Sequence, residues 1–269
     1  MTRRKKMYIK IEKKFEIQKE SLKNPIVLIG WPGIALVAKL AITSIKDSLK
    51  AEEFMIIQCF DFPAKSVVEK GSLEIPTAKV FYKPADKEDG NDFFILSADY
   101  QPQSSEGVFE FSKFFCEEMH NITGGNIKMY ISTGAMISDL VHDKPLVYIC
   151  GTNQELVQSF LKYENTKLYE NGFISGANGI LPAWAGAHNF APGICVLAET
   201  LPLPMMTLDP RSSKALVALL KDYFSLDMDF SKLDEKIKEM ESVFESFKKQ
   251  ADHFMKRPRE DQGPDSYFR

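Results

Sequence analysis

Short, unbroken apolar runs alternate with longer segments of helical period over residues 25–226, and this alternation constrains the fold more than any other feature. The apolar runs are PIVLIG, FMIIQCF, DFFILSAD, IKMYIST, PLVYICG and PGICVLAE. Strands that are apolar on both sides need cover on both faces of their sheet, which is typical of parallel sheets with helices in front and behind. The pattern therefore predicts an α/β fold, specifically a three-layer α/β/α sandwich around a mostly parallel sheet.

Helices are predicted at residues 106–121, 153–162, 179–188 and 212–224, the last after the start signal DPRSS. One segment interrupts the alternation. GSLEIPTAKVFYKPADKEDGND reads as two short strands and a polar turn around Asp89 and Gly90. We expect it to form an antiparallel excursion that decorates the sheet.

A heptad pattern begins after Ser231, because apolar residues there recur alternately four and three positions apart. They are Leu233, Ile237, Met240, Phe244, Phe247, Ala251 and Phe254. The pattern predicts a helix of roughly 37 Å with a narrow apolar seam. Two interpretations stay open: the seam packs on its own domain, or it joins subunits of an oligomer.

The last segment, KRPREDQGPDSYFR, carries prolines, glycine and clustered charges, so a flexible tail is predicted there. The expected organisation is an α/β/α domain over residues 1–229, the heptad helix over 230–256 and the tail over 257–269. The terminal residues Tyr267, Phe268 and Arg269 place two aromatic rings at the end of this tail.

Composition argues against several classes of protein. A net charge of −3 gives no general footprint for nucleic acid, although Arg3 opens a short basic run. No run of about 18 apolar residues and no secretory signal are present, so we expect a cytoplasmic protein without a membrane partner. Four cysteines (Cys59, Cys116, Cys150 and Cys195) lie singly in apolar runs and are interpreted as buried free thiols. The four histidines lack metal-binding spacing, so neither metal nor cofactor is expected.

A small-molecule site is a second hypothesis. GWPG, with Gly30 and Gly33, follows the first strand where a phosphate loop would lie, and Gly176 and Gly179 begin a later helix. Glu199 ends a buried strand, which is a position where carboxylates can be catalytic. A structural explanation competes at each position. GWPG can be a tight turn, Gly176 and Gly179 can allow close helix packing, Glu199 can anchor a loop, and Asp209 can cap a helix. No nucleophile, base and orienting group meet in one motif.

Three segments together resemble the proteasome assembly chaperone 2 family: IGWPGIALVAK, FISGANGILPAWA and PGICVLAETLPLPMMTLDPRSSKALVALL. The resemblance covers most of residues 24–225. It implies a phosphorylase/hydrolase-like α/β/α sandwich without established catalytic activity. It also implies binding to the proteasome core particle, as an assembly chaperone or as an activator.

The resemblance also gives the tail a role, because regulators of this kind end in a hydrophobic residue, a tyrosine and any residue, which enter pockets between α-ring subunits. Tyr267 takes the hydrophobic position, Phe268 the tyrosine position and Arg269 the last. Phe268 has no hydroxyl, so a hydrogen bond of the family tyrosine is absent here. We expect a homo-oligomer, a trimer or tetramer, that docks on the α subunits through several tails. The alternatives are a nucleoside- or small-acid-binding enzyme and a scaffold for another helical partner.

Overall fold

The computed structural model describes residues 8–139, 142, 144–201 and 207–255, with the backbone alone at residues 69, 244 and 247–255. The strands of this part of the chain are β1 (Ile9–Lys13), β2 (Ile26–Gly30), β3 (Glu52–Cys59), β4 (Val67–Glu69), β5 (Ser72–Glu74), β6 (Ala78–Lys83), β7 (Phe93–Ala98), β8 (Met129–Ile137), β9 (Val147–Gly151), β10 (Thr166–Leu168) and β11 (Gly193–Thr200). Its α-helices are α1 (Val37–Ser48), α2 (Ser105–Thr123), α3 (Gln154–Phe160), α4 (Ala177–Ala187), α5 (Pro210–Phe224) and α6 (Ser231–Met255).

The main sheet has the strand order β1-β3-β6-β7-β2-β8-β11-β9-β10. Its centre, β7-β2-β8-β11, is parallel throughout. Antiparallel pairs extend it through β6, β3 and β1 on one side and through β9 on the other. The predicted antiparallel excursion is therefore a component of the main sheet, because β6 pairs with β7 across the turn at Asp89 and Gly90. The separate β4-β5 hairpin is the smaller addition.

Two helical layers cover the sheet, as predicted for a three-layer sandwich. Side chains of β2 point alternately to the two faces, so Val27 and Ile29 pack with α2 and α4. Ile26 and Leu28 pack on the other face with α1, α3 and α5. All four are buried. At about 1.5–3 kcal/mol for each buried aliphatic side chain, such two-sided strands are a main source of stability.

The helix boundaries follow from capping groups. Ser104 caps α2 by accepting a hydrogen bond from Gly107 N, and Asn153 caps α3 in the same way from Leu156 N. Asp209 caps α5, and Pro210 occupies the first turn, so that helix begins two residues before the predicted start. Helix α4 also begins earlier than predicted, directly after Gly176.

The first turn of α6 is fastened to the domain. Leu233 is 1% exposed and belongs to the core beneath α1 and α5. Lys214 of α5 lies 2.6 Å from Asp234, and Lys232 lies 3.5 Å from Asp47 of α1. Further along, residues 241–243 are exposed. The burial of α6 is therefore greatest in its first turn.

The residues of the predicted heptad seam differ in burial along α6. Leu233 packs in the core of its own domain, so of the two interpretations of the seam only the first applies to this residue, which is not an oligomer contact. Ile237 and Met240 are half-buried. The side chains of Phe244, Phe247 and Phe254 lie outside the described part of the protein, so their role stays a prediction. None of the helices that the structure describes is long and apolar enough to cross a membrane.

Candidate functional site

The candidate site lies at the edge of the sheet where the central parallel strands end. Ligands of open α/β sheets bind at this carboxyl edge, where neighbouring connections diverge to opposite faces. Gly30 ends β2, Glu199 lies at the end of β11, and Gly176 directly precedes α4. Gly30, Gly176 and Glu199 therefore lie at the same edge of the sheet.

Gln101, which follows β7, brings Gly33 and Gly176 together. Its Nε2 donates to the carbonyl oxygen of Pro32 at 2.8 Å, and its Oε1 accepts from the N–H of Ala177 at 2.9 Å. Gly176 has a φ of 73°, and a Cβ there would lie 2.4 Å from Oε1 of Gln101. We call this link the Gln101 brace. It uses both ends of the amide within the protein, and sequence reasoning missed it because DYQPQ has no recognisable motif.

Gly30 and Gly179 have packing explanations. A Cβ at Gly30 would lie 2.3 Å from Cγ1 of Ile42 in α1, and a Cβ at Gly179 would lie 2.4 Å from the carbonyl oxygen of Ile174. Both glycines therefore allow close approach of neighbouring segments. Their role in a ligand pocket stays a prediction.

Glu199 forms a separate buried contact. Its side chain is 4% exposed, and Oε1 lies 2.6 Å from Nδ1 of His142. Its Oε2 has no hydrogen-bond partner within the described residues. This contact holds His142 against the end of β11, in agreement with the loop-anchor interpretation. Two of the four predicted glycines, Gly33 and Gly176, lie next to a different side chain, Gln101.

Asp209 forms the network that joins β11 to α5. Its Oδ1 accepts from the N–H groups of Arg211 and Ser212, both at 3.1 Å. Its Oδ2 accepts from the Thr200 hydroxyl at 2.7 Å. The cap interpretation of Asp209 is confirmed, and its carboxylate is fully used within the protein.

A cavity of about 390 Å³ lies beside the Gln101 brace. Its lining includes Pro32, Leu36, Pro63, Tyr100 and Gln103. The lining contains no carboxylate, histidine, lysine or cysteine, so it offers no acid–base pair for catalysis. Over the part of the chain that the structure describes, no group of three or more His, Cys, Asp or Glu side chains is arranged to hold a metal ion.

The turn after β2 is strained. Ala35 and Leu36 adopt left-handed conformations with φ of 45° and 48°, which cost of order 1–3 kcal/mol each. The N–H of Asp209 donates to the carbonyl oxygen of Ala35 at 2.9 Å and so fixes this turn to the start of α5. Ile34 and Leu36 are consequently presented to solvent.

More apolar side chains follow the end of β3, which runs parallel to β2 and ends at the same edge. With the turn after β2, they form what we call the apolar rim: Ile34, Leu36, Phe60, Val68, Leu73 and Ile75. These side chains are between 39% and 82% exposed. Exposed apolar side chains form contact surfaces for other macromolecules where they are contiguous. Sequence reasoning missed the rim because an apolar residue in a turn or a short strand gives no local sign of whether it is exposed.

Comparison with known proteins shows similarity over nearly the whole chain. A protein of Methanocaldococcus jannaschii, the uncharacterized protein MJ1210, is 27% identical over 241 residues, with 88% of both chains covered. The crystal structure of Pyrococcus furiosus PbaB, described as an archaeal proteasome activator, superposes with a TM-score of 0.81 at 23% identity and covers 91% of this chain and 100% of that chain.

Pyrococcus furiosus PbaA, described as an archaeal homolog of proteasome-assembly chaperone, has a TM-score of 0.68 at 20% identity, with 87% of this chain and 92% of that chain covered. These structures share the fold of this chain. The sequence model of the PAC2 family matches residues 27–248, from the first central strand into α6. Tyr267, Phe268 and Arg269 lie outside the residues that the structure describes. The chain belongs to the PAC2 family.

Proposed function

We propose that this protein is a non-enzymatic partner of the proteasome core particle, an assembly chaperone or an activator, that docks on the α subunits through Tyr267, Phe268 and Arg269. The observation that carries the proposal is the correspondence of fold over 100% of Pyrococcus furiosus PbaB, an archaeal proteasome activator. The carboxyl edge supports a binding role, because exposed apolar side chains of the rim lie there and one of them, Leu36, also lines the cavity beside the Gln101 brace.

Helix α6 supports delivery of a docking peptide. Leu233 anchors its first turn in the core, and residues 241–243 further along are exposed. An extended segment after Lys256 reaches about 40 Å further. In this proposal the terminal peptide contacts the core particle at a distance from the sandwich.

Docking through this peptide uses three groups. The rings of Tyr267 and Phe268 are buried in pockets between α subunits, and the free carboxylate of Arg269 pairs with a lysine of the pocket. A short flexible peptide binds weakly by itself because it loses conformational entropy when it docks. A trimer or tetramer with several tails binds tightly, since each further tail docks at high effective concentration.

Pull-down of purified core particle by the full chain tests the proposal. Deletion of residues 267–269 is expected to abolish capture, and a single glycine added after Arg269 to weaken it strongly by displacing the carboxylate. Phe268→Tyr is expected to strengthen capture, because it restores the hydroxyl of the family motif. The matched control is Phe173→Ala, which removes an aromatic ring that is 97% exposed elsewhere on the surface and should leave capture unchanged. Undiminished capture by the deletion variant would refute docking through this peptide.

The role at the core particle is tested separately. Peptidase activity of mature core particle toward a short fluorogenic peptide is measured with and without the full chain. Stimulation that disappears with residues 267–269 indicates gate opening, whereas capture without stimulation indicates assembly. The scaffold alternative would be favoured instead if the full chain captures a helical protein from extracts that lack the core particle and does not capture purified core particle.

A further inference from the structure

A second cavity, of about 370 Å³, lies away from the carboxyl edge, among β9, β11, α4 and the segment after β10. Cys150 of β9 and Cys195 of β11 both line it, with Tyr169, Glu170 and Ile180. Cys195 is buried and Cys150 is half-buried, and both are free thiols. The two cysteines are 45 positions apart in the sequence, and the fold brings them together in one accessible cavity.

Strand register makes the two cysteines direct neighbours. Cys195 is the cross-strand partner of Cys150 in the antiparallel β9-β11 pair. A hydrogen bond between the thiols lowers the pKa of Cys150. The same hydrogen bond and burial raise the pKa of Cys195, whose Sγ also lies 3.5 Å from the carbonyl oxygen of Asn178.

The type of pairing sets the distance between the two side chains. In the same register, the N–H of Thr152 donates to the carbonyl oxygen of Gly193, and that of Glu199 to Leu146. Since hydrogen-bonded pairs recur at every second position, Cys150 and Cys195 form a hydrogen-bonded pair, with Cα atoms about 5.5 Å apart. Their Cβ atoms then lie near the upper end of the cross-strand range, about 5.5 Å, whereas a disulfide needs roughly 3.5–4.5 Å.

We propose that Cys150 and Cys195 form a two-thiolate binding site for one soft monovalent metal ion of the Cu(I) and Ag(I) class. Two metal–sulfur bonds of about 2.3 Å each place the two sulfurs up to roughly 4.6 Å apart. A bridge of this length suits a Cβ–Cβ separation of about 5.5 Å better than a direct S–S bond does. Soft thiolates select soft ions. Binding replaces both thiol protons: one M⁺ and two R–SH give [M(SR)₂]⁻ and two protons, with no change of oxidation state.

The site is expected to discriminate against zinc. Structural Zn²⁺ takes four ligands, and no group of three or more suitable side chains exists within the described residues. Two thiolates satisfy a linear Cu(I) ion completely. Glu170 and Tyr169 are the other titratable side chains among the lining residues.

Anaerobic competition for Cu(I) with a chromophoric chelator, on the reduced full chain, tests the proposal. One equivalent of Cu(I) is expected to bind, with a thiolate-to-copper charge-transfer band, and Zn(II) is expected to bind at least about 100-fold more weakly. Cys150→Ser should weaken Cu(I) binding by about 100-fold or more, since even loss of a group that only supports a ligand costs 10–100-fold. Cys116→Ser, which removes a buried thiol of α2, is the matched control and should retain binding.

Two results would overturn the proposal. The first is Cu(I) binding that is equal in wild type and Cys150→Ser, with Cys150→Ala as a second variant and circular dichroism showing that both are folded. The second is a Cys150–Cys195 disulfide that forms in the native protein on treatment with hydrogen peroxide, which oxidises both thiols and is reduced to water; the linked peptides are then lighter by two hydrogen atoms. That product would show that the thiols approach more closely than the register allows.

Discussion

Asp209 is the most informative residue to perturb, because its carboxylate and its backbone N–H together hold three parts of the candidate site. It caps α5 through two N–H groups, accepts the Thr200 hydroxyl at the end of β11, and through its own N–H fixes the left-handed turn at Ala35. Its side chain is 1% exposed, so water does not replace these partners. Substitution should therefore cost far more than loss of an ordinary helix cap.

The expected magnitude follows from these contacts. Asp209→Ala removes four hydrogen bonds to a charged acceptor, from the N–H groups of Arg211 and Ser212 and from the hydroxyls of Thr200 and Ser212. At about 1–1.5 kcal/mol each, the free energy of unfolding should fall by about 4–6 kcal/mol. Asp209→Asn keeps an oxygen for the cap and should cost about 1–2 kcal/mol. Asn153→Ala removes the exposed cap of α3 and should cost about 1 kcal/mol.

Urea unfolding at pH 7, followed by circular dichroism and by tryptophan fluorescence, measures these differences. Coincidence of the two probes establishes that one transition is compared across the variants. For a chain of this size, about 2–4 °C per kcal/mol predicts a fall in melting temperature of roughly 10 °C for Asp209→Ala. If Asp209→Ala costs no more than Asn153→Ala, the hydrogen bonds of the Asp209 carboxylate are not a significant source of stability, and the reasoning from this network is refuted.

Three further predictions address packing, the C-terminal helix and pH. Gly30→Ala should lower the free energy of unfolding by about 1–3 kcal/mol, because a Cβ would overlap α1. A Cβ at Gly33 would have its nearest neighbour at 3.9 Å, so Gly33→Ala should leave the melting temperature in differential scanning fluorimetry unchanged. Leu233→Ala should lower the free energy of unfolding by about 2–5 kcal/mol, and Ile237→Asp should instead reduce the mass of the oligomer in light scattering. Burial, and then the charge and hydrogen bond of Asp92, raise the pKa of Tyr82 to about 12, above its unfolded value of about 10. Between pH 10 and pH 12 the native state thus keeps a proton that the unfolded state releases. This contribution to stability is present below pH 10 and lost towards pH 12. Tyr82→Phe should flatten the dependence of the melting temperature on pH over that range.

The central sheet was predictable from sequence because its signal is local. A strand such as β11, buried at all eight positions, appears as a continuous apolar run regardless of which strands flank it. Caps are local as well, and the one at Asp209 was visible in LDPRSS. The edges of the sheet were less predictable, since antiparallel additions such as β6 depend on which existing edge accepts them.

The candidate site could not be predicted to the same extent, because its contacts join distant segments. The Gln101 brace spans 69 residues to Pro32 and 76 to Ala177, and no feature of DYQPQ indicates either partner. The same limit explains why Cys150 and Cys195 were interpreted as isolated thiols. Their proximity depends on β9 and β11 being antiparallel neighbours in one particular register, and neither the pairing nor the register is encoded near either cysteine.

The heptad seam of α6 shows why periodicity alone does not identify a partner. A stripe of apolar residues indicates that one face of a helix is covered, but it does not show whether its own domain or another subunit covers it. The structure separates the two cases by position: Leu233 is inside the core, whereas Ile237 and Met240 are only half-buried and residues 241–243 are exposed. A helix that is anchored at one end and has an apolar stripe continuing beyond its anchor has surface left for a second contact. The stripe therefore serves stability in its first turns, and only the part beyond Leu233 is available for assembly, which is why the two substitutions on this helix should affect different measurements.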